Sequence, residues 1–396
     1  MIRQSIVILV GTLAILDLTA VAWSVDSLPV RARQAVAGRL APQLRSSFIL
    51  APTPREPYAV ANAFGGGLFV LARGEGGTSG SKLAFHIFDL RTHAWRVARP
   101  SLLGTTPFIG MMVVTHTWLA WTQSPDSQTG QAWQLCALNL RSGKEWLVDS
   151  AQAEGISPLA YQAGVGDQEI ALGGDTLVWT LVRSQGYQQG RSLLKVANLA
   201  TQATHVLVSI PITPRRPVSA MGLPTTDGRY IAWDRSTQAT PATLTDTVEL
   251  YDQETGRYRK VATHGQASEP AVGYGNLAWK LGPRFEDGLG IRILNLRTQR
   301  LDTITRRGAG RPTLGPCLLA YQDGSYGGDE LYDTCTRQGI FLLPRQEKVP
   351  GSTSYYVGIR LAGDYATMGL LNPRSTYHGT AMFHLPVAHP LYDFYH

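Results

Sequence analysis

Only three of the 396 residues are cysteine, and they form no CxxC pair, zinc spacing or haem-attachment motif. Charge is also sparse. Asp, Glu, Lys and Arg make up 16% of the chain against 44% hydrophobic residues, a balance that excludes intrinsic disorder as the main state. The net charge of +7 rests on 30 Arg and six Lys, scattered as pairs such as Arg215-Arg216 and Arg306-Arg307 with no run of four. The basic stripe that a nucleic-acid binder concentrates is missing, so no nucleic-acid partner is expected. Beyond residue 46 no apolar 3.6-residue period occurs, which excludes a helical fold. Gly77-Thr78-Ser79-Gly80 fails the Gly-x-Ser-x-Gly spacing, excluding a hydrolase built on a nucleophile elbow. His378, His384, His389 and His396 are not spaced to share one face of a strand, and Asp323, Asp329 and Asp333 do not fit an EF-hand loop. Neither a metal nor another cofactor is expected.

A single long apolar run is present, at the N-terminus. Arg3 precedes the stretch Ile6 to Ile15, and Ala20-Val21-Ala22 supplies an A-x-A site, so residues 1–24 read as a secretory signal cut before Trp23. Apolar character resumes through Val25, and an uncleaved membrane tether over residues 6–25 is the alternative, with Asp17 counting against it. Either way the chain is expected to be exported: secreted, periplasmic or membrane-anchored. Residues 25–46, with four Arg between 31 and 45, form a linker, and residues 47–396 form one domain.

That domain is turn-rich, with 41 Gly and 23 Pro, and carries 9 Trp and 16 Tyr, which points to an all-β fold. It also repeats. Leu119-Ala120-Trp121, Leu177-Val178-Trp179, Ile231-Ala232-Trp233, Leu277-Ala278-Trp279 and Leu319-Ala320-Tyr321 are successive apolar runs ending in an aromatic residue. Downstream of such runs stands Asp or Asn with Ser or Thr three places on: Asp89 and Thr92, Asn139 and Ser142, Asn198 and Thr201, Asp252 and Thr255, Asn295 and Thr298, Asp333 and Thr336. Such side chains bond nearby backbone N–H groups and build hairpin turns. The aromatic column steps by 58, 54, 46 and 42 residues, and Val70 and Thr367 extend it at either end. Four short strands per step of this size imply a single β-propeller. Seven units fit, at 57–100, 107–150, 157–209, 217–264, 269–307, 311–344 and 353–390, with six blades as the alternative. Proline recurs before the innermost strand, at Pro57, Pro107, Pro217, Pro270 and Pro312. The last unit lacks an outer strand, which residues 47–50 can provide.

The Leu/Ile-Ala-Trp runs and the segment Leu250-Tyr251-Asp252-Gln253-Glu254-Thr255-Gly256 resemble the TolB-like propeller repeats of exported bacterial proteins, over nearly all of residues 57–390. The chain lacks the Gly-His of the related WD repeats, and its Trp233-Asp234 pair does not recur. It also lacks the Ser-x-Asp-x-Gly-x-Thr-Trp of Asp-box propellers. The resemblance implies four-stranded blades serving as a protein-docking platform, as the partner of a hydrolase domain, or as a sugar-binding or lytic enzyme.

In such a blade the 2–3 loop and the 4–1 loop share one face. The 2–3 loops are the long, varied ones, at 123–131, 183–191, 235–245, 282–290 and 323–328, and long loops on a rigid scaffold are where binding resides. Candidate binding residues on this face are Arg183, Tyr187, Arg191, Arg235, Arg284, Phe285, Glu286, Asp287, Tyr326 and Asp329. Arginine pairs bidentately with carboxylates, and Arg and aromatic residues dominate binding hot spots. The sequence therefore favours a monomeric, non-catalytic binding platform for a protein or an anionic glycan. The alternative is a lyase- or glycosidase-type propeller with an axial carboxylate site, for which Glu286-Asp287, or Asp323 with Asp329-Glu330, supplies paired carboxyls. No residue is assigned as catalytic. Cys317 and Cys335, 18 residues apart, fall at the same end of adjacent strands and are expected to form a disulfide, whereas Cys136 sits in an alternating apolar run as a packed thiol.

Overall fold

The computed structural model describes residues 49–50, 59–74, 83–92, 94–103, 108–124, 132–154, 169–184, 190–212, 221–240, 243–261, 267–282, 288–305, 307–323, 328–335, 337, 339–343, 355–362, 365–371 and 377–384. All regular elements among them are strands, and they pair into seven four-stranded antiparallel sheets. Six sheets use four consecutive strands, spanning 59–98, 108–150, 170–212, 225–260, 267–305 and 309–343. In the seventh, three strands between 355 and 384 are joined by Ile49–Leu50, which pairs in register with Ala381 and Thr380. First strands of successive sheets touch one another from the first sheet round to the seventh. Strands that run up and down outward from such an inner ring make a β-propeller.

The outer hairpins form as the Asx pairs require. Asp89 Oδ1 accepts from the N–H groups of Arg91 and Thr92 at 2.9 and 3.1 Å. Asn139, Asn198, Asp252, Asn295 and Asp333 accept from the backbone N–H two or three places on in the same way. Four residues after each of these last five the backbone turns left-handed, at Gly143 (φ 70°) and Gly256 (φ 67°), and also at Gln202, Gln299 and Arg337. Glycine adopts that conformation without strain, while the last three do so against the preference of an L-residue.

Successive sheets are joined by the aromatic column. Trp121 packs into a cluster with Val70, Phe85 and Ile87 of the first sheet, and Trp179 packs against Trp118, Ala120 and Leu135 of the second. Trp233, Trp279 and Tyr321 repeat the arrangement against the third, fourth and fifth sheets. All five rings are fully buried. The 1–2 turns, two or three residues each, interlock as well. A Cβ built on Gly173 would stand 2.5 Å from the backbone of Asp227 and Gly228 in the next sheet, so only glycine fits there. Gly173→Ala is expected to lower stability by about 2 kcal/mol, since backbone cannot yield as a side chain does. A melting curve for the variant checks this.

Several sequence expectations need correction. By register the column continues at Leu71, which faces His86 as Trp121 faces Cys136, and at Met368 rather than Thr367. The expectation slips by one residue at both ends because no aromatic stands at the column position there, and one step in a strand reverses the face. Pro270 and Pro312 lie inside inner strands at bulges, not before them. A bulge on an edge strand leaves no ladder bond for the missing N–H to break. The fourth 2–3 loop is nearly absent: Tyr230–Thr240 and Thr243–Asp252 extend through it as a hairpin, which its threonines favour. The leader (1–24) and linker (25–46) lie outside the described residues.

Cys317, in a 1–2 turn, and Cys335, in the 3–4 turn of the same sheet, form a disulfide with 5.2 Å between Cα atoms. Closing an 18-residue separation stabilises by about 3 kcal/mol in the chain-entropy model. Cys317→Ser with Cys335→Ser should lose that much in chemical denaturation, and an unchanged midpoint would show that the bond constrains nothing. Cys136 is a buried thiol pushed up to about 12 by burial, with the nearby Glu145 adding to it, and so is unreactive.

Candidate functional site

Strand direction places the 2–3 and 4–1 connections on one face, here called upper, and the 1–2 and 3–4 turns on the lower face. Buried charge gathers toward the upper ends of the sheets. Between the second and third sheets, Asp149 Oδ2 accepts from Lys195 Nζ at 2.6 Å and from Trp179 Nε1 at 3.0 Å. Lys195 Nζ also reaches Glu154 Oε1 at 2.6 Å, and Arg183 Nη2 pairs with the other oxygen of Glu154. Burial raises the Asp149 carboxyl above its usual range, although Lys195 opposes it. Glu154 is also pushed up by burial, but its bonds to Lys195 and Arg183 outweigh that and hold it low. This network ties two sheets together across their shared core.

Similar groups recur along the ring. Opposite the column aromatics, on the third strand, stand Cys136, Lys195, Glu249, Arg292 and Glu330 in register with Trp121, Trp179, Trp233, Trp279 and Tyr321. Glu249 is fully buried and lies 3.3 Å from Arg235 Nη1. Burial and then Glu249 itself raise the Tyr258 hydroxyl. The Tyr321 hydroxyl donates to Glu330. At the inner-strand bulge of the fifth sheet, Glu269 takes a left-handed backbone (φ 52°) and accepts from Lys280 Nζ at 2.8 Å and from the Arg311 N–H of the next sheet at 2.7 Å. Glu249 and Glu269 were missed by sequence reasoning, and Glu330 was named there only as one of a pair of loop carboxyls. Each stands three residues before an Asx turn or within a bulge, a fixed offset that was open to inspection.

Of the anticipated binding residues, Arg183 and Arg191 lie at strand ends on the upper face as register neighbours, both exposed. Arg183 is paired with Glu154, and Arg191 Nε bonds Ser209 Oγ at 2.5 Å. Arg235 is a strand residue opposite Thr247, not a loop residue, because the hairpin extends past it. Asp329 likewise falls within the strand Gly328–Asp333. Tyr187, Arg284, Phe285, Glu286, Asp287 and Tyr326 lie outside the described residues. Among the described residues no group of three or more His, Cys, Asp or Glu is placed to hold a metal ion.

Two cavities bounded by described residues lie on the lower face. One, of about 840 Å³, sits below the first and second sheets, and one of about 380 Å³ sits below the fifth and sixth. Tyr274, in a 1–2 turn of the fifth sheet, lines both.

No protein-family model matches the sequence, and no curated protein matches it. Solved structures do. The propeller domain of the trilobed protease from Pyrococcus furiosus matches with a TM-score of 0.55 at 10% identity, over 87% of this chain and 99% of that one. Acylaminoacyl peptidase from Pyrococcus horikoshii gives 0.53 at 10% identity over 87% of this chain, which spans 53% of the peptidase. Oligogalacturonate lyase from Vibrio parahaemolyticus gives 0.53 at 10% identity, covering 86% and 96%. The shared feature is the fold: the chain is a β-propeller. The protease propeller is described as having an open velcro topology, whereas here Ile49–Leu50 completes the last sheet.

Proposed function

We propose that the seven sheets are the blades of one ring of the TolB-like kind, exported, monomeric and non-catalytic, which docks a protein partner on its upper face. The observation that supports this most is the asymmetry of the connections. Lower turns are two to five residues long, no longer than Asx bonding and interlock require, while upper 2–3 connections reach eight or nine residues in the first, second and fifth sheets. Loops longer than chain reversal requires are where a scaffold carries recognition. A protein partner fits better than an anionic glycan at this face, because Arg183 and Arg235 already neutralise Glu154 and Glu249.

An enzyme reading draws on a different observation, the buried Tyr321–Glu330 and Lys280–Glu269 pairs, since propellers of peptidases and a lyase share the fold. Those pairs sit between packed strands and satisfy one another, the arrangement of structural struts. The test replaces Arg183, Arg284 and Phe285 with Ala and follows a cross-linked partner in the envelope fraction of the source cell. The partner should disappear from this variant and persist when Glu254 and Arg257 on the lower face are changed to Ala. The reverse result would place docking on the lower face.

A further inference from the structure

The larger lower-face cavity carries a composition that chain reversal does not explain. It is lined by Arg91, Arg96 and Arg141, by His116, and by Trp95 and Tyr274, with Asp89 as its only carboxylate among the described lining residues. Asp89 Oδ1 is committed to the N–H groups of Arg91 and Thr92. Burial pushes this carboxyl up, yet those bonds and the Arg91 charge hold it low, and the described lining sets three guanidinium groups against this one carboxylate. Arg96 Nη1 donates to the Leu140 carbonyl at 2.9 Å, which fixes its fork from one side, and Arg141 Nη2 donates to His116 Nε2. Positive charge held in a concavity attracts an anion, and planar guanidinium groups grip carboxylates two bonds at a time.

The two aromatics narrow the ligand further. Trp95 is 45% exposed and Tyr274 49% exposed, unusual for large rings at a cavity wall. Phe88 backs the Trp95 ring at 5.0 Å between centroids, holding it in place with surface to spare. A fixed, half-open ring is a platform for a flat ligand with an apolar face, and a volume of about 840 Å³ suits a few linked rings. We propose that this cavity binds an acidic oligosaccharide, with carboxylates on Arg91, Arg96 and Arg141 and a sugar face on Trp95 or Tyr274. The site lies on the opposite face from the proposed protein-docking loops and stands or falls independently of them.

Titration calorimetry on the folded, disulfide-bonded protein tests it with three probes: a uronic-acid tetrasaccharide, the same tetrasaccharide with its carboxyls reduced to alcohols, and hexaglutamate. The acidic saccharide should bind. Arg91→Gln and Arg141→Gln should each weaken it about tenfold or more, as loss of a charge-assisted bond does. Trp95→Ala should weaken it as well, with each variant's melting point unchanged to exclude unfolding. No binding of the acidic saccharide at millimolar concentration, equal binding of the reduced one, or equal binding of hexaglutamate would each overturn the proposal. An affinity indifferent to Trp95→Ala would do so too, leaving only a diffuse charge effect.

Discussion

Lys195→Met should destabilise the protein by about 3–5 kcal/mol, the range for breaking a buried ion pair from one side. The lysine is flanked by Asp149 and Glu154 and lies 5.2 Å from the centre of the Trp179 ring, so its loss strands two carboxylates in an inter-sheet core. Arg183 still serves Glu154, and Trp179 Nε1 still serves Asp149, but neither replaces the buried charge. The deficit should depend on pH in a defined direction. Asp149 is already raised by burial from its ordinary 3.8, and without Lys195 it rises further. A carboxyl raised in the folded state binds its proton more tightly there than in the unfolded chain. The penalty is therefore complete at neutral pH and shrinks as pH falls through the raised value toward 3.8. Denaturant midpoints of the variant and wild type at pH 7 and pH 4 should converge at the lower pH. A constant gap would mean that the loss is one of packing and not of charge.

Deleting residues 1–52 should lower the melting temperature by about 5 °C relative to a chain lacking only residues 1–24. The segment removed includes Ile49–Leu50, the outer strand of the last sheet and the link between the two ends of the chain. Pairing the two ends adds ladder hydrogen bonds and covers the outer edge of the last sheet, a contribution on the order of 3 kcal/mol. A domain of this size loses roughly 1.5 °C per kcal/mol, because the unfolding entropy grows with chain length. The deletion also bares the strand Tyr377–His384 as an exposed edge, so aggregation should accompany the loss. Calorimetry and light scattering on the two chains report both effects.

What could be read from the sequence follows the range of the interactions. The Asx turns were legible because donor and acceptor lie two or three residues apart, and Asn295 Oδ1 needs nothing beyond Arg297 and Thr298. The aromatic column was legible because five rings repeat at one place in the strand order. The charged network was not, since Lys195 meets Asp149 across 46 residues and two sheets, and no local pattern records that pairing. Glu269 was hidden for another reason. Its role depends on a bulge that turns it toward Arg311 of the following sheet, and a bulge leaves little trace in hydrophobic alternation. Arg235 shows the opposite error: polar residues and threonines looked like a loop, where they form a long hairpin.

The lower-face arginines were not singled out in the sequence, where only the Asx and the Ser or Thr of each turn were read. Arg91 and Arg141 each stand two places after an Asx, where the turn uses only their N–H groups and leaves the side chains free to do something else. That two such turns, from adjacent sheets, empty their arginines into one cavity is a fact of the ring and not of either repeat.

Closure of the ring is the claim on which the rest depends, and a cysteine pair tests it most directly. Ile49→Cys and Ala381→Cys place two thiols on register partners at opposite ends of the chain. In purified protein exposed to air the pair should oxidise without added catalyst and run as a near-circular chain on a denaturing gel, returning to the linear position on reduction. A control pair, Ile49→Cys with Arg96→Cys on the outer strand of the first sheet, should stay reduced. If the first pair fails to cross-link, or the control cross-links as readily, the N-terminal strand does not complete the last sheet and the closed propeller is wrong.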